Sequence, residues 1–403
     1  MEEKNKSIVS RRTFIVGSGA VLLSALLGGC KAETLTSTVT STKTSTLLST
    51  ITNALTTTET ETTTSMLTST ATVTSTATVT ETLTQPATRV ITDMGGVAVT
   101  VPCDINRIVI TCMGGATHEV AAIGGAAKIV AQPSMQKFPV LLKIYPDFVN
   151  LPTVGTFNNI NIEEILTLEP DVVINSKTST EGNQKIMNAG VPVIGVNTGR
   201  SDITGILDEF AMTGELLNDT DRSEELITFW SEQLDVIEAR LQGIPVENRK
   251  KVYYVLGSIT HTNGSAAWGQ ALITTAGGIN VAEEIGAERD IVLEQLLVWN
   301  PDVMILSSNE GTFVSIEDVS GNTQLEDIKA VIDGELHLCP VGTFWWDRPA
   351  PEAILGVTWL AKTLYPEQFA DVDLKALSKD FYNRFYDYAL SDEEFNAFLT
   401  PTA

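Results

Sequence analysis

The chain has 403 residues, 43% of them hydrophobic and 19% charged, with a formal net charge of −24. That length leaves room for two medium-sized domains, each with its own core. So acidic a balance excludes nucleic acid and anionic lipid surfaces as natural partners, because both repel it.

Residues 1–29 read as an export signal. Ser10, Arg11, Arg12, Thr13 and Phe14 carry a twin-arginine signature, and the uncharged stretch 14–29 follows it. Sixteen residues fall short of the ~20 that a membrane span needs. The stretch ends in Leu27, Gly28, Gly29 and Cys30, which resembles the lipobox of prokaryotic lipoproteins. Cys30 is the expected lipidation site, so the rest of the chain is expected outside the cytoplasmic membrane, tethered to it.

Residues 30–87 form the next expected unit. Between 34 and 84, 32 of 51 residues are Thr or Ser. Such a tract buries too little apolar surface to offset its chain entropy, so a disordered stalk is expected, open to O-glycosylation. As a flexible coil it spans roughly 40 Å. No partner strand of matching pattern is evident beside it.

From residue 88 onward, strands alternate with helices. In the first lobe (88–218) a strand at 107–112 leads through a small-residue turn into a helix near 118–123. A strand at 128–131, a helix near 183–189 and a strand at 191–196 follow. An inter-lobe helix is expected over 219–243, opened by acidic residues and closed by Gly243 and Pro245. Leu226, Phe229, Trp230, Leu234, Ile237 and Leu241 give it one apolar face. The second lobe (244–403) repeats the scheme, with strands at 251–256 and 335–339, an aromatic loop at 342–349 and a helix at 351–364.

An internal echo supports two related lobes. Residues 163–176 read EEILTLEPDVVINS and residues 294–307 read EQLLVWNPDVMILS, with seven of fourteen positions identical. Gly155 and Gly286 extend the match upstream. Each copy is a short helix, a Pro-Asp break and an apolar strand. The expected fold is therefore α/β, two doubly wound lobes with a cleft between them.

Catalytic signatures are missing from the sequence. There is no Gly-x-Ser-x-Gly, no His-Glu-x-x-His and no phosphate loop. Only His118, His261 and His337 occur, none near an acid at catalytic spacing. Beyond Cys30, the odd count of Cys103, Cys112 and Cys339 implies no disulfide framework, and no zinc spacing exists. A binder without cofactor is expected, not an enzyme.

Four segments carry a family resemblance: 154–174 (VGTFNNINIEEILTLEPDVVI), 188–194 (NAGVPVI), 275–281 (TAGGINV) and 346–356 (WDRPAPEAILG). In this order they resemble the iron-siderophore and vitamin B12 class of ABC-transporter substrate-binding proteins. The resemblance implies a class III periplasmic-binding-protein fold, one rigid connecting helix and small closing motion. It implies a monomer that delivers a metal chelate to an ABC permease dimer with its ATPase. A ferric siderophore ranks first as cargo, cobalamin second and haem third. A surface sensor or adhesin with the same fold is the alternative.

The resemblance also implies that Glu163 and Glu294, one per repeat, dock onto permease arginines; a plain helix-start acid is the competing reading. Ligand contacts are expected from loops at the carboxyl ends of strands. In the first lobe these are Thr117, His118, Phe157, Asn158, Ser176 and Lys177. In the second they are Ser258, His261, Trp345, Trp346 and Arg348. One of the adjacent tryptophans is expected as an exposed stacking wall, and Arg348 as the partner of an anionic chelate. His118 and His261, in facing loops, are placed to ligate a chelated metal; loop histidines without such a role are the alternative.

Overall fold

The computed structural model describes residues 34–53, 65–84, 87–307 and 313–401; the signal read at 1–29 and Cys30 lie outside them. No helix among the described residues is long and apolar enough to cross a membrane. Strands β1 (Thr34–Asn53) and β2 (Ser65–Thr84) pair antiparallel along their length, with Thr34 opposite Thr84 and Asn53 opposite Ser65. The stretch expected to lack a partner strand thus carries a paired ladder. Threonine is β-branched, and two runs with threonine at frequent intervals suit a two-stranded ladder.

The first lobe begins with a flanking hairpin, β3 (Thr88–Thr92) and β4 (Ala98–Pro102). Next come β5 (Ile108–Ile110), α1 (Ala116–Ala122), β6 (Ile129–Ala131) and α2 (Pro139–Ile144). The hairpin β7 (Gly155–Thr156) and β8 (Asn159–Ile160) leads into α3 (Ile162–Thr167). The lobe continues with β9 (Val172–Ser176), α4 (Thr180–Asn188) and β10 (Val193–Val196). Its parallel sheet runs β10-β9-β5-β6. β5, β9 and β10 are buried at every position, as a parallel sheet covered on both faces requires.

Two helices make the crossing. α5 (Ile203–Leu217) ends at Asn218 with φ 56°, and α6 (Thr220–Leu241) starts at Asp219, whose carboxylate accepts from the Arg222 amide. α6 buries Leu226, Phe229, Trp230, Ile237 and Leu241. It packs on α5 along one side and on the second lobe along another. There the indole nitrogen of Trp230 donates to the Pro351 carbonyl at 2.9 Å. A helix whose apolar face packs against both lobes acts as a strut.

The second lobe contains β11 (Lys251–Val255), β12 (His261–Thr262), α7 (Trp268–Thr275), β13 (Ile279–Asn280) and β14 (Arg289–Asp290). It continues through α8 (Leu293–Trp299), β15 (Val303–Leu306), α9 (Ile316–Ser320), α10 (Lys329–Asp333) and β16 (Leu336–Leu338). The parallel sheet order β13-β11-β15-β16 matches the first lobe strand for strand. In each lobe the first sheet strand lies between the second and third. The echo in the sequence is therefore an echo in topology. Glu169 and Asn300, one in each copy, both turn left-handed at φ 44°.

Helices α11 (Ala353–Leu364), α12 (Leu374–Tyr386) and α13 (Asp392–Leu399) close the chain. α12 and α13 reach back to the first lobe. Tyr386 meets Tyr145 edge-on at 6.4 Å, Arg222 donates to the Phe385 carbonyl at 2.8 Å, and Glu394 pairs with Lys143. The C-terminal helices thus pack against the first lobe and α6 as well as against α11. One core runs from Ile108 and Phe138 in the first lobe to Trp346 and Phe385 near the chain's end.

Candidate ligand cleft

Both parallel sheets point their carboxyl ends toward the space between the lobes, and the loops there decide what a solute can touch. After β5 the chain turns through Gly114 (φ 125°) and Gly115 (φ 96°) into α1. A Cβ on Gly115 would sit 2.6 Å from the Pro349 carbonyl oxygen of the second lobe. Glycine is needed here on two counts, backbone conformation and close approach.

Three of the expected contact residues are buried in this junction. The His118 side chain is 1% exposed, and its Nε2 donates to the Thr343 carbonyl across the lobes at 2.8 Å. Its ring packs on Phe138 and Phe344 at 5.3 and 4.4 Å. Burial pushes its pKa down to about 3, so the imidazole is neutral. His118 is a wedge between lobes and not a metal ligand in an open loop.

Trp345 and Trp346 are both buried, at 6% and 0% exposure, which corrects the expected stacking wall. The loop folds on itself, with Val341 bridged to Trp345. Trp345 leans toward the first lobe against Phe138 at 4.7 Å, whereas Trp346 meets Phe398 at 6.2 Å. The Trp346 indole also donates to Glu352 Oε2 at 2.9 Å. Neighbouring side chains that point opposite ways can both be buried when each direction offers its own packing surface.

Other expected contacts hold the scaffold. The Phe157 carbonyl, in a residue at φ 56°, accepts from the Asn175 amide at 3.1 Å, and the Asn158 side chain accepts from the Gly182 amide at 2.9 Å. Ser176 is buried between the hydroxyls of Thr178 and Thr198, at 2.9 and 2.7 Å. Lys177 is exposed and donates to the Met94 carbonyl at 3.3 Å. Ser258 is exposed, and its carbonyl accepts from the His261 amide.

His261 bridges two carboxylates, Asp290 at 2.8 Å and Glu288 at 2.9 Å. Both partners only accept, so both ring nitrogens must carry protons. Burial opposes that charge, but the two carboxylates outweigh it and raise the pKa. A doubly protonated imidazole cannot ligate a metal, so the paired-histidine site is not formed.

Arg348 differs from these. It is half-buried, and its Nε has no hydrogen-bond partner. Burial disfavours its charge, yet Tyr254, Asp347 and Glu288 outweigh burial and keep the guanidinium charged. Beside it, Asp347 is 1% exposed; its Oδ2 accepts the Tyr254 hydroxyl at 2.7 Å while Oδ1 has no partner. In the first lobe, the Thr117 hydroxyl and both amide atoms of Gln132 are buried and unpartnered too. Buried polar groups are normally satisfied, so orphans in both lobes suit a bound polar solute. Gln132 and Asp347 escaped sequence reasoning; a polar residue directly after the apolar strand β6 was the one available signal for Gln132.

The lobes touch again where the Trp268 amide donates to the Gly199 carbonyl at 3.1 Å. Beside this contact lies a cavity of about 450 Å³, lined by Arg200, Ser201 and Asp202 from one lobe and Ser265, Gln270 and Thr274 from the other. Its size falls within the range of small-molecule sites, about 300–1,000 Å³.

The profile of the periplasmic binding protein family matches residues 109–341, well over half the chain. The chain belongs to the periplasmic binding protein family. Its relatives include the molybdate-binding protein MolA of Haemophilus influenzae, 27% identical over 74% of this chain and 91% of that protein. The vitamin B12-binding protein of Salmonella typhimurium is 24% identical over 54% of this chain and 78% of its own length. Among solved structures, a periplasmic solute-binding protein of Veillonella parvula superposes with a TM-score of 0.68 at 29% identity. It covers 78% of this chain and 97% of that one. MolA bound to molybdate gives 0.67 at 26% identity, over 75% and 99%. This periplasmic binding protein is thus a member of the ABC-transporter substrate-binding class, with a solute site outside the cytoplasm.

Proposed function

We propose that the chain is the membrane-tethered binding component of an ABC importer and that its cargo is a compact metal-bearing anion, molybdate-like in size and charge. The observation that carries this reading is the half-buried guanidinium of Arg348, charged and with an unpartnered Nε, on a loop that meets the first lobe. A charged donor left free at such a place suits an oxyanion. Thr117 and Gln132 of the first lobe also carry unpartnered polar atoms. The burial of Trp345 and Trp346 removes the flat wall that a cobalamin, haem or aromatic siderophore would stack on, so these cargoes rank below a small anion.

Twin-arginine export and lipidation at Cys30 supply the tether, and the β1–β2 hairpin spaces the lobes from it. Glu163 and Glu294 dock the permease, one from each repeat. Isothermal titration of the protein with molybdate, tungstate, ferric citrate, cobalamin and hemin tests the cargo. Molybdate or tungstate binding at micromolar or tighter, with none by cobalamin or hemin, is the expected result. Tight binding of cobalamin, hemin or ferric citrate alone would return the cargo to the chelate class.

A further inference from the structure

Across positions 160–169 and 291–300 the two repeat units share one pattern of exposure, residue for residue. Each unit buries a single anchor, Ile165 or Leu296, and turns an acid and a leucine to solvent. The pairs are Glu163 with Leu166 and Glu294 with Leu297. Leu166 is 43% exposed and Leu297 39%. Three positions apart on a helix, acid and leucine are neighbours on one face. Val292 and Val298, 66% and 77% exposed, widen the apolar area on the second unit.

A single exposed leucine on a protein surface calls for no explanation. The same leucine at the equivalent place in both lobes, each time beside an acid without a cation partner among the described residues, does. We infer that each acid–leucine pair is a two-part docking contact with the permease. The carboxylate meets a cation and the leucine enters an apolar socket one helical turn away, once per lobe. This rests on the transport reading above and adds the apolar half of the contact.

The choice of occupant follows from charge. A second copy of this chain would set carboxylate against carboxylate on a molecule of formal charge −24, and an anionic lipid surface would be repelled as well. Two equivalent patches, each needing a cation and an apolar recess, suit a partner made of two like subunits.

The test uses the full chain and its permease–ATPase complex in lipid nanodiscs, with equilibrium binding read by interferometry. The variants are Leu166→Ser with Leu297→Ser, Leu166→Met with Leu297→Met, and Glu163→Gln with Glu294→Gln, each checked by thermal unfolding. The serine pair is expected to bind the permease about tenfold more weakly or worse, the loss expected of a contact energy near 1.4 kcal/mol. Its melting should match wild type. The methionine pair should bind nearly as wild type does, because it keeps apolar volume. If the glutamine pair loses binding while the serine pair binds normally, the leucine contact is wrong and docking by the acids stands. If neither pair changes binding, both the inference and the docking role fall.

Discussion

Asp171 and Asp302, the acids of the two Pro-Asp breaks, perform one task in the two lobes. Asp171 Oδ2 accepts from the Arg107 amide at 2.9 Å, and Asp302 Oδ2 accepts from the Lys251 amide at 2.8 Å. Each carboxylate thereby ties the foot of the strand leaving its helix, β9 or β15, to the residue that leads into or opens its neighbour, β5 or β11. The adjacent backbones bond as well: the Asp171 amide donates to the Arg107 carbonyl, and the Asp302 amide to that of Lys251. This pinning sets the register at the centre of each sheet, at the edge away from the cleft.

Asp171→Ala and Asp302→Ala should each lower stability by about 1.5–3 kcal/mol, the range for a hydrogen bond to a charged group. Solute affinity should stay near wild type, since both residues lie at the opposite sheet edge. Urea unfolding and titration of the same samples check the pair of outcomes. A loss of affinity without a loss of stability would contradict the structural role.

Gly115→Ala should separate the lobes. The new Cβ meets the Pro349 carbonyl oxygen at 2.6 Å, and the φ of 96° is unfavourable for any side chain. A loss of about 1–3 kcal/mol is expected, with weaker solute binding, because the carbonyl belongs to backbone and cannot swing aside. Thermal unfolding and titration measure both effects. An unchanged melting point would mean the lobes do not meet there.

Arg348→Gln should weaken the binding of an anionic solute by about 1.5–3 kcal/mol and should also lower the melting point, since Asp347 and Glu288 lose the charge that faces them. Arg348→Lys should recover only part of the affinity, because an ammonium lacks the planar pair of donors. Equal affinities for all three proteins would make Arg348 a spectator.

Stability should fall as pH rises from about 6.5 to above 8. Glu352 is buried among the Trp346 indole, the Tyr382 hydroxyl and Thr343, and burial pushes its pKa up to about 8 despite these donors. Glu119 and Glu209 are buried against one another, one bonded by the Thr213 hydroxyl and the other by the Asn197 amide. Burial raises both. A carboxyl with a raised folded pKa binds its proton more tightly in the native state. Its contribution is full below the unfolded value near 4.5 and is lost as pH climbs through the folded one. His261, also raised, acts in the same direction. His118 opposes them only below its unfolded value of 6.5, where the unfolded chain takes up the proton that the native state refuses. Above that value the carboxyls act without this opposition. Melting temperature measured from pH 6.5 to 8.5 should decline, and Glu352→Gln should flatten the slope. A rising curve would contradict the assignment of these groups as buried acids.

The two-lobe α/β architecture, the strut helix and the repeat were legible in the residues, because these rest on local signals. Helical spacing of Leu226, Phe229 and Trp230, the apolar runs of the sheet strands and the doubled Pro-Asp break are all written within short windows. Tertiary structure alone decided which cleft residues a solute can reach. Burial of His118 depends on Thr343, 225 residues away along the chain, and the fates of Trp345 and Trp346 depend on Phe138 and Glu352. A loop residue looks available until the opposite lobe closes over it. The orphaned atoms of Gln132, Asp347 and Arg348 become visible only once every other polar group has found its partner.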